Sequence, residues 1–323
     1  MRKFLSIGYL SLLLLYFISC SSPPGENETW CDHPYRKGYE NYKELETSHP
    51  WFKVYDLDDS VYAIYEPYNW QEVISYLIIG SEKALLFDTG MGLDSIQTVV
   101  KELTSLPITV INSHTHFDHI GGNADFSNIL AVDTGYTHTN SQGWSHESIR
   151  QEVSPVAFCP ETLSSVDTAS YHIRPYSIEG FIRDSSVIDL GGRQLEVIAI
   201  PGHTPDGVAL LDRNAGLLWT GDTYYEGPLW LFFPDTDLDA FEKSISRLAT
   251  LAPNLKYLLP AHNLPRIRPE RLFEVKEAIA AVMAGKEKGE PVKDGGTLMK
   301  DVIRFEFEHF SFLIRKDLLL NGC

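Results

Sequence analysis

The stretch SHTHFDHIGG (113–122) sets three histidines and one aspartate within six positions and follows them with two glycines. Imidazole and carboxylate are ligands that zinc, iron and manganese accept. In an extended or turning backbone, residues two apart point the same way, so His114 and His116 can grip one ion. Asp118 and His119 lie beyond a bend and can face a second ion. Gly121 and Gly122 carry no Cβ, so another backbone can come close. A histidine-rich surface loop would look the same over so short a distance.

Three distant positions separate the two readings. His203 follows the apolar run LEVIAIPG, Asp222 follows GLLWTG, and His262 follows KYLLPA. Seven groups of metal-ligand type thus stand at the ends of four predicted strands. Strand ends converge at one edge of a sheet, where a rigid scaffold holds them. Seven ligands are too many for one tetrahedral ion; they suit two ions that share a bridging carboxylate and leave room for water. His33, His49, His138, His146, His172 and His309 fall outside the pattern and are assigned no role. No C-x-x-C occurs, so cysteine is not the expected ligand.

The elements that must position these groups are legible from about Trp51 onward. VYAIYEP, SYLIIGS and ALLFDTG are short apolar runs between turn residues and predict strands. DSIQTVVKELTSL (94–106) places Ile96, Val99, Val100 and Leu103 at helical spacing, with Asp94 as N-cap. ITVINSH is the next strand. A second set, SVIDLGG, LEVIAIPG, VALLDRNAGLLWTGD and KYLLPAH, turns at Gly, Asn or Pro. DLDAFEKSISRLATL puts Leu238, Phe241, Ile245 and Leu248 on one helix face, capped by Asp237 or Asp239. RPERLFEVKEAIAAVMAG predicts another helix, with Pro269 near its first turn and Gly285 past its end. The tail IRFEFEHFSFLIR alternates and predicts a late strand or hairpin. Residues 123–182 are less regular and are expected to cover the site with short helices.

The chain has 323 residues, and its apolar fraction of 43% suffices for a large core. With 44 acidic against 27 basic residues the net charge is −17, which repels phosphate backbones and argues against a nucleic-acid partner. The opening MRKFLSIGYLSLLLLYFISCSS has a positive start and an apolar stretch too short for a comfortable membrane span. Residues 1–20 read as an export signal. Phe17-Ile18-Ser19-Cys20 resembles a bacterial lipobox, although Phe17 stands where leucine is usual; the alternative is a simple signal cut near Ser19–Ser22. The expectation is an exported protein, periplasmic or outer-surface, lipid-anchored to a bacterial membrane at Cys20, with 21–50 as tether and N-terminal extension. Export permits a disulfide, and Cys31 with Cys159 is one pairing open to the remaining Cys31, Cys159 and Cys323.

The motifs together resemble the metallo-β-lactamase superfamily. SHTHFDHIGG is similar to its H-x-H-x-D-H motif; LLFDTG with Asp88, IPGHT with His203, TGDT with Asp222 and PAH with His262 follow in the family's order. The resemblance spans 54–265 and implies an α/β chain folded as a four-layer αββα sandwich, with a domain at 51–265 and a C-terminal helix and strand extension at 266–323 packing on it. Carried over, it implies that His114, His116 and His203 bind one metal, that Asp118, His119 and His262 bind a second, and that Asp222 bridges them. The cofactors implied are two zinc ions, with iron or manganese as substitutes. Asp88 would order the ligand loop from behind.

A bridging aspartate resembles the glyoxalase II and lactone-hydrolase groups. His116 stands where flavodiiron members carry glutamate. The implied reaction is attack by a metal-bridging hydroxide on the carbonyl of an ester, thioester, lactone or lactam of a small-molecule substrate, with Asp118 passing the proton. Tyr225, three residues after Asp222, sits where lactonases of the family place a tyrosine against the substrate carbonyl; packing beside the site is the alternative. YYEGPLW (224–230) and the tyrosines of 136–176 favour an apolar or acyl-bearing substrate. The alternatives are a mononuclear iron persulfide dioxygenase, a β-lactamase and a non-catalytic lipoprotein.

Overall fold

The computed structural model describes residues 31, 36–160, 162, 166–293 and 299–320. The export signal, Cys20, residues 21–30 and 32–35, and Cys323 lie outside them. In chain order come β1 (Lys43–Leu45), β2 (Lys53–Asp56), β3 (Val61–Tyr65), β4 (Ile74–Ile79), β5 (Ala84–Phe87), α1 (Ile96–Leu103), β6 (Ile108–Ile111), α2 (Phe117–Ile120) and β7 (Ile129–Val132). Then follow α3 (Gly135–Asn140), α4 (His146–Ile149), β8 (Gly180–Ile182), β9 (Val187–Asp189), β10 (Gln194–Ala199), β11 (Val208–Asp212), β12 (Leu217–Gly221) and β13 (Pro228–Leu231). The chain continues with α5 (Leu238–Ala249), β14 (Tyr257–Pro260), α6 (Arg271–Met283), β15 (Glu290–Pro291), β16 (Val302–Glu306), β17 (Ser311–Arg315) and α7 (Lys316–Leu320). Among the described residues no helix is long and apolar enough to cross a membrane.

The first sheet holds β1 to β8 in sequence order. It is antiparallel from β1 to β5 and parallel from β5 to β8. The second sheet runs β14-β12-β11-β10-β9. Both sheets are buried on two faces, and the period of two along each strand assigns its side chains to different layers. Ile74, Tyr76 and Ile78 of β4 and Leu85 and Phe87 of β5 meet Val208, Leu210, Leu217 and Trp219 of β11 and β12 between the sheets. The alternate residues Leu77, Ala84 and Leu86 face outward onto Ile96, Val99 and Val100 of α1. On the far side, Ala209, Leu211 and Leu218 pack on Phe241 and Ile245 of α5 and Leu272 and Ile279 of α6. These are the four layers, α1 with its neighbours, sheet, sheet, and α5 with α6.

Local signals act as expected in most places. Asp237 caps α5, accepting from the Ala240 N–H at 2.9 Å. Gly285 follows α6 at φ 66°, a left-handed position that ends the helix. Asp94 does not cap α1. Ser95 holds that position without capping a backbone N–H through its side chain, which accepts from Thr98 Oγ1 at 3.2 Å, and the Asp94 carboxylate instead accepts from Ser95 N at 2.7 Å and from His49 Nδ1 at 2.9 Å. The alternating tail is a hairpin, β16 against β17. It belongs to a third sheet, β13-β17-β16-β15, in which β13 pairs parallel with β17. That sheet was not expected, because PLWL is too short to stand out from its loop. The irregular 123–182 segment contributes β7, α3, α4 and β8 and is joined to the N-terminal part by a disulfide between Cys31 and Cys159.

Candidate metal centre

β10 and β12 both pair antiparallel with β11, and β12 pairs parallel with β14, so all three run the same way. Their C-terminal ends share one edge of the second sheet, which brings His203, Asp222 and His262 together. The first sheet delivers the remaining ligands at the end of β6. The Val208 N–H donates to the Ser113 carbonyl at 2.7 Å and pins the two edges to each other. Gly121 lies so close to Met91 that a Cβ there would overlap its backbone, and Gly221, at φ 53°, leaves room for Ser113.

All seven predicted groups converge. His114 Nε2 and His203 Nε2 approach His116 Nδ1 at 2.9 and 3.1 Å. Asp222 Oδ2 lies 3.9 Å from His114 Nε2 and 3.6 Å from His203 Nε2. The other oxygen, Oδ1, lies 3.4 Å from His119 Nε2 and 3.0 Å from His262 Nε2. Asp118 Oδ2 completes that second group at 3.5 Å from His119 and 3.7 Å from His262. Ligand atoms of His114, His116 and His203 lie within 4.8 Å of one another, and so do those of Asp118, His119 and His262.

Hydrogen bonds behind the cluster set which nitrogens face inward. A carbonyl only accepts, so His203 Nδ1 must donate to Trp230 O at 2.8 Å, and His262 Nδ1 to Gln71 O at 2.6 Å. In the neutral rings their Nε2 atoms therefore present lone pairs to the centre. Asp88 sits at φ 66° and spends both oxygens on the loop. Its Oδ1 accepts Ser113 N at 2.6 Å, while Oδ2 accepts Ser113 Oγ at 2.8 Å and His119 Nδ1 at 3.0 Å. This is the ordering role that the family resemblance implies for Asp88. Just past β3, Glu66 braces the turn after Asp88, accepting Trp51 Nε1 at 2.7 Å and Met91 N at 2.9 Å.

The electrostatics of the two halves differ. Burial and then the neighbouring rings push the His114 imidazole far down and that of His116 to about 3, and burial lowers His203. This half offers three unprotonated nitrogens. In the other half burial opposes the charge on His119 and His262, but Asp118 and Asp222 outweigh it and raise both. Burial would lift Asp118 and Asp222, yet the facing imidazoles hold both below the usual carboxylate range. His119 Nε2 and Asp222 Oδ1 are buried without a hydrogen-bond partner. Converging lone pairs, opposed carboxylates and orphaned buried atoms all fit a pair of divalent cations.

Tyr225 also lines this cleft, but its hydroxyl donates to the Pro228 carbonyl and its ring packs 4.9 Å from that of His262. The proton wanted for a substrate carbonyl is thereby engaged, and in this arrangement Tyr225 wedges His262. Tyr224 is not at the site; it is fully buried and packs against Phe310.

Asp206, three residues past His203 in GHTPD, is a further functional candidate that the metal-ligand pattern alone does not single out. Its buried Oδ2 accepts Thr115 Oγ1 at 2.6 Å and Thr137 Oγ1 at 3.2 Å, and Asn140 Nδ2 donates to the same Thr115 hydroxyl at 3.1 Å. The residue between His114 and His116 is thus tied to α3. Asp206→Ala is expected to weaken metal binding by about 10–100-fold, the usual scale for losing a partner behind the ligands. Competition with a chelator measures this, and unchanged affinity would remove Asp206 from the supporting frame.

A sequence model of the metallo-beta-lactamase superfamily matches residues 69–262, which contain all seven groups. The chain belongs to the metallo-beta-lactamase superfamily. Acyl-coenzyme A thioesterase MBLAC2 of Homo sapiens is 26% identical over 246 residues, covering 70% of this chain and 85% of that protein. Hydroxyacylglutathione hydrolase of Chromohalobacter salexigens is 27% identical over 172 residues, covering 53% of this chain and 54% of its own length. In fold, this superfamily member superposes on DIM-1 metallo-beta-lactamase with a TM-score of 0.51 at 14% identity, over 73% of this chain and 99% of that one. A sec-alkylsulfatase from Pseudomonas sp. gives 0.54 at 14% identity, over 72% and 42%. At such identities the structures share the fold, and with it the four layers expected from the motifs.

Proposed function

We propose that the chain is a dinuclear metal-dependent hydrolase of acyl esters and thioesters. The observation that carries the reading is Asp222, whose two oxygens face two separate groups of ligands. His114, His116 and His203 would hold one cation, Asp118, His119 and His262 the other, and Asp222 would serve both. Bound there, two divalent cations, zinc by ligand type, supply a water acidified to a pKa of about 7 and an electrophile for the carbonyl oxygen. The chain's own share is orientation and proton handling. Gln71 O and Trp230 O keep His262 and His203 from turning, and Asp88 does the same for His119. Asp118 is the carboxylate placed to take the proton released on hydrolysis and return it to the leaving group.

A thioesterase and a hydroxyacylglutathione hydrolase among the relatives support this class of reaction. The Cys31–Cys159 disulfide supports folding in an oxidising compartment, in keeping with export and an anchor at Cys20.

Metal analysis joined to a panel of esters, thioesters, lactones and β-lactams tests the proposal. The expected result is two zinc equivalents per chain and turnover of acyl esters or thioesters. Two bound metals with no turnover on the panel would overturn it. One iron with oxygen consumption would replace it by the persulfide dioxygenase reading.

A further inference from the structure

One feature of the cleft has no part in holding metal. From the ring of His116, aromatic side chains run outward in unbroken contact. Phe233 lies 4.8 Å from His116 between ring centroids, Trp230 lies 6.1 Å from Phe233, and Trp70 lies 5.5 Å from Trp230. Phe233 and Trp230 line the cleft beside Asp118 and Asp222, and Trp70, at the outer end, is 39% exposed. Indole and phenyl rings left partly open to water beside a polar centre form the kind of surface that marks a ligand groove.

The strip is also held rigidly. Trp230 sits on β13 opposite Leu313 of β17. Leu313, Val302 and Phe232 form a small buried cluster, against which Trp230 and Phe233 pack. At the rim, the Trp70 backbone N–H donates to Ala157 O at 3.0 Å, and Asn69 bridges to Phe158, beside the disulfide-bonded Cys159. The rings thus come from two separate segments, each fixed by its own anchor, and meet only at the cleft.

We infer that Phe233, Trp230 and Trp70 form the acyl-binding wall, and that the substrates are carbonyl compounds with an extended apolar acyl chain lying from the metal centre out to Trp70. The inference rests on the hydrolase reading for which bond is cut, and on the wall alone for which molecules are held. A chain laid along three successive rings leaves water one methylene at a time. Full burial of a methylene is worth about fourfold in affinity, so preference should climb with chain length up to the outer ring.

Two readouts test this on the zinc-loaded protein. Titration calorimetry with butanoate and octanoate reads binding without catalysis. Steady-state rates on the p-nitrophenyl esters of acetate, butanoate and octanoate read turnover. Octanoate is expected to bind about tenfold or more tightly than butanoate, and kcat/KM to rise in the same order. Trp70→Ala and Trp230→Ala should each cut the octanoate-to-butanoate ratio severalfold, with Trp70→Phe keeping most of it. Equal affinity for the two acids, or a ratio that neither alanine variant changes, overturns the wall even if every ester is hydrolysed. Chain-length-dependent binding without turnover of any ester, or of the corresponding thioesters, supports the wall and removes the hydrolase reading instead.

Discussion

Asp222→Ala is expected to empty both halves of the proposed metal centre and to lower kcat/KM by about 10²–10³-fold, the scale on which groups acting at a reacting centre are lost. Each carboxylate oxygen faces a different pair of imidazoles, Oδ2 toward His114 and His203 and Oδ1 toward His119 and His262. Without it, the first three histidines keep their lone pairs but lose one of the two carboxylates that act on them, leaving Asp118 near His116 and His203. The second group keeps one carboxylate, Asp118, for two imidazoles. A single-group change such as His203→Ala should behave differently, taking one metal equivalent and sparing much of the other. Metal content after gel filtration, read beside kcat/KM, separates the two patterns. Two retained equivalents in Asp222→Ala would show that the halves are independent and that no carboxylate bridges them.

Opening the disulfide should have the second large effect, on stability. Cys31 and Cys159 are 128 residues apart in sequence, so the bond closes a long loop in the unfolded chain. The loop-entropy model gives about 5 kcal/mol for such a closure, and measured losses fall at about 2–5 kcal/mol. For a domain of this size that is a fall in Tm on the order of 5–15 °C. Cys31→Ala is the cleaner variant, since Cys159 is fully buried and a serine there would add an unmet hydroxyl. The variant and the reduced wild type should melt together, below the oxidised protein. The 155–159 segment holds Trp70 and with it the loop whose Gln71 carbonyl orients His262. The same variant should therefore weaken discrimination by acyl length. An unchanged Tm would mean that neighbouring packing alone holds this corner.

The candidate metal ligands were the most legible part of the molecule, and the reason is physical. Each follows an apolar run that can only be a buried strand, so strand ends alone place His114, His203, Asp222 and His262 along common edges. The amphipathic faces of α5 and α6 were equally plain, because a helix packed on one side repeats its apolar residues. What sequence could not reveal was mostly backbone. Gln71 O and Trp230 O orient two ligands, and a carbonyl leaves no trace in residue identity. Asp94 illustrates a different limit: its type suits a cap, but His49, far off in sequence, supplies a competing partner. The pairing of β13 with β17 joins segments about eighty residues apart and reads as loop in one of them, so no local pattern announces it.

That long-range pairing also sets an order of events when the protein is made. Every candidate metal ligand has been synthesised by His262, yet the strand that backs Trp230 is not complete until Arg315. At about 5–20 residues per second, the ribosome leaves on the order of several seconds between the two. During that interval the two main sheets can form and Cys31 and Cys159 are both available, while β13 has an open edge and its tryptophan lacks the backing of Leu313 and Val302. The nascent chain thus carries every part of its proposed metal centre and acyl wall before the strand that backs the wall, and β13 presents an open edge until that strand arrives.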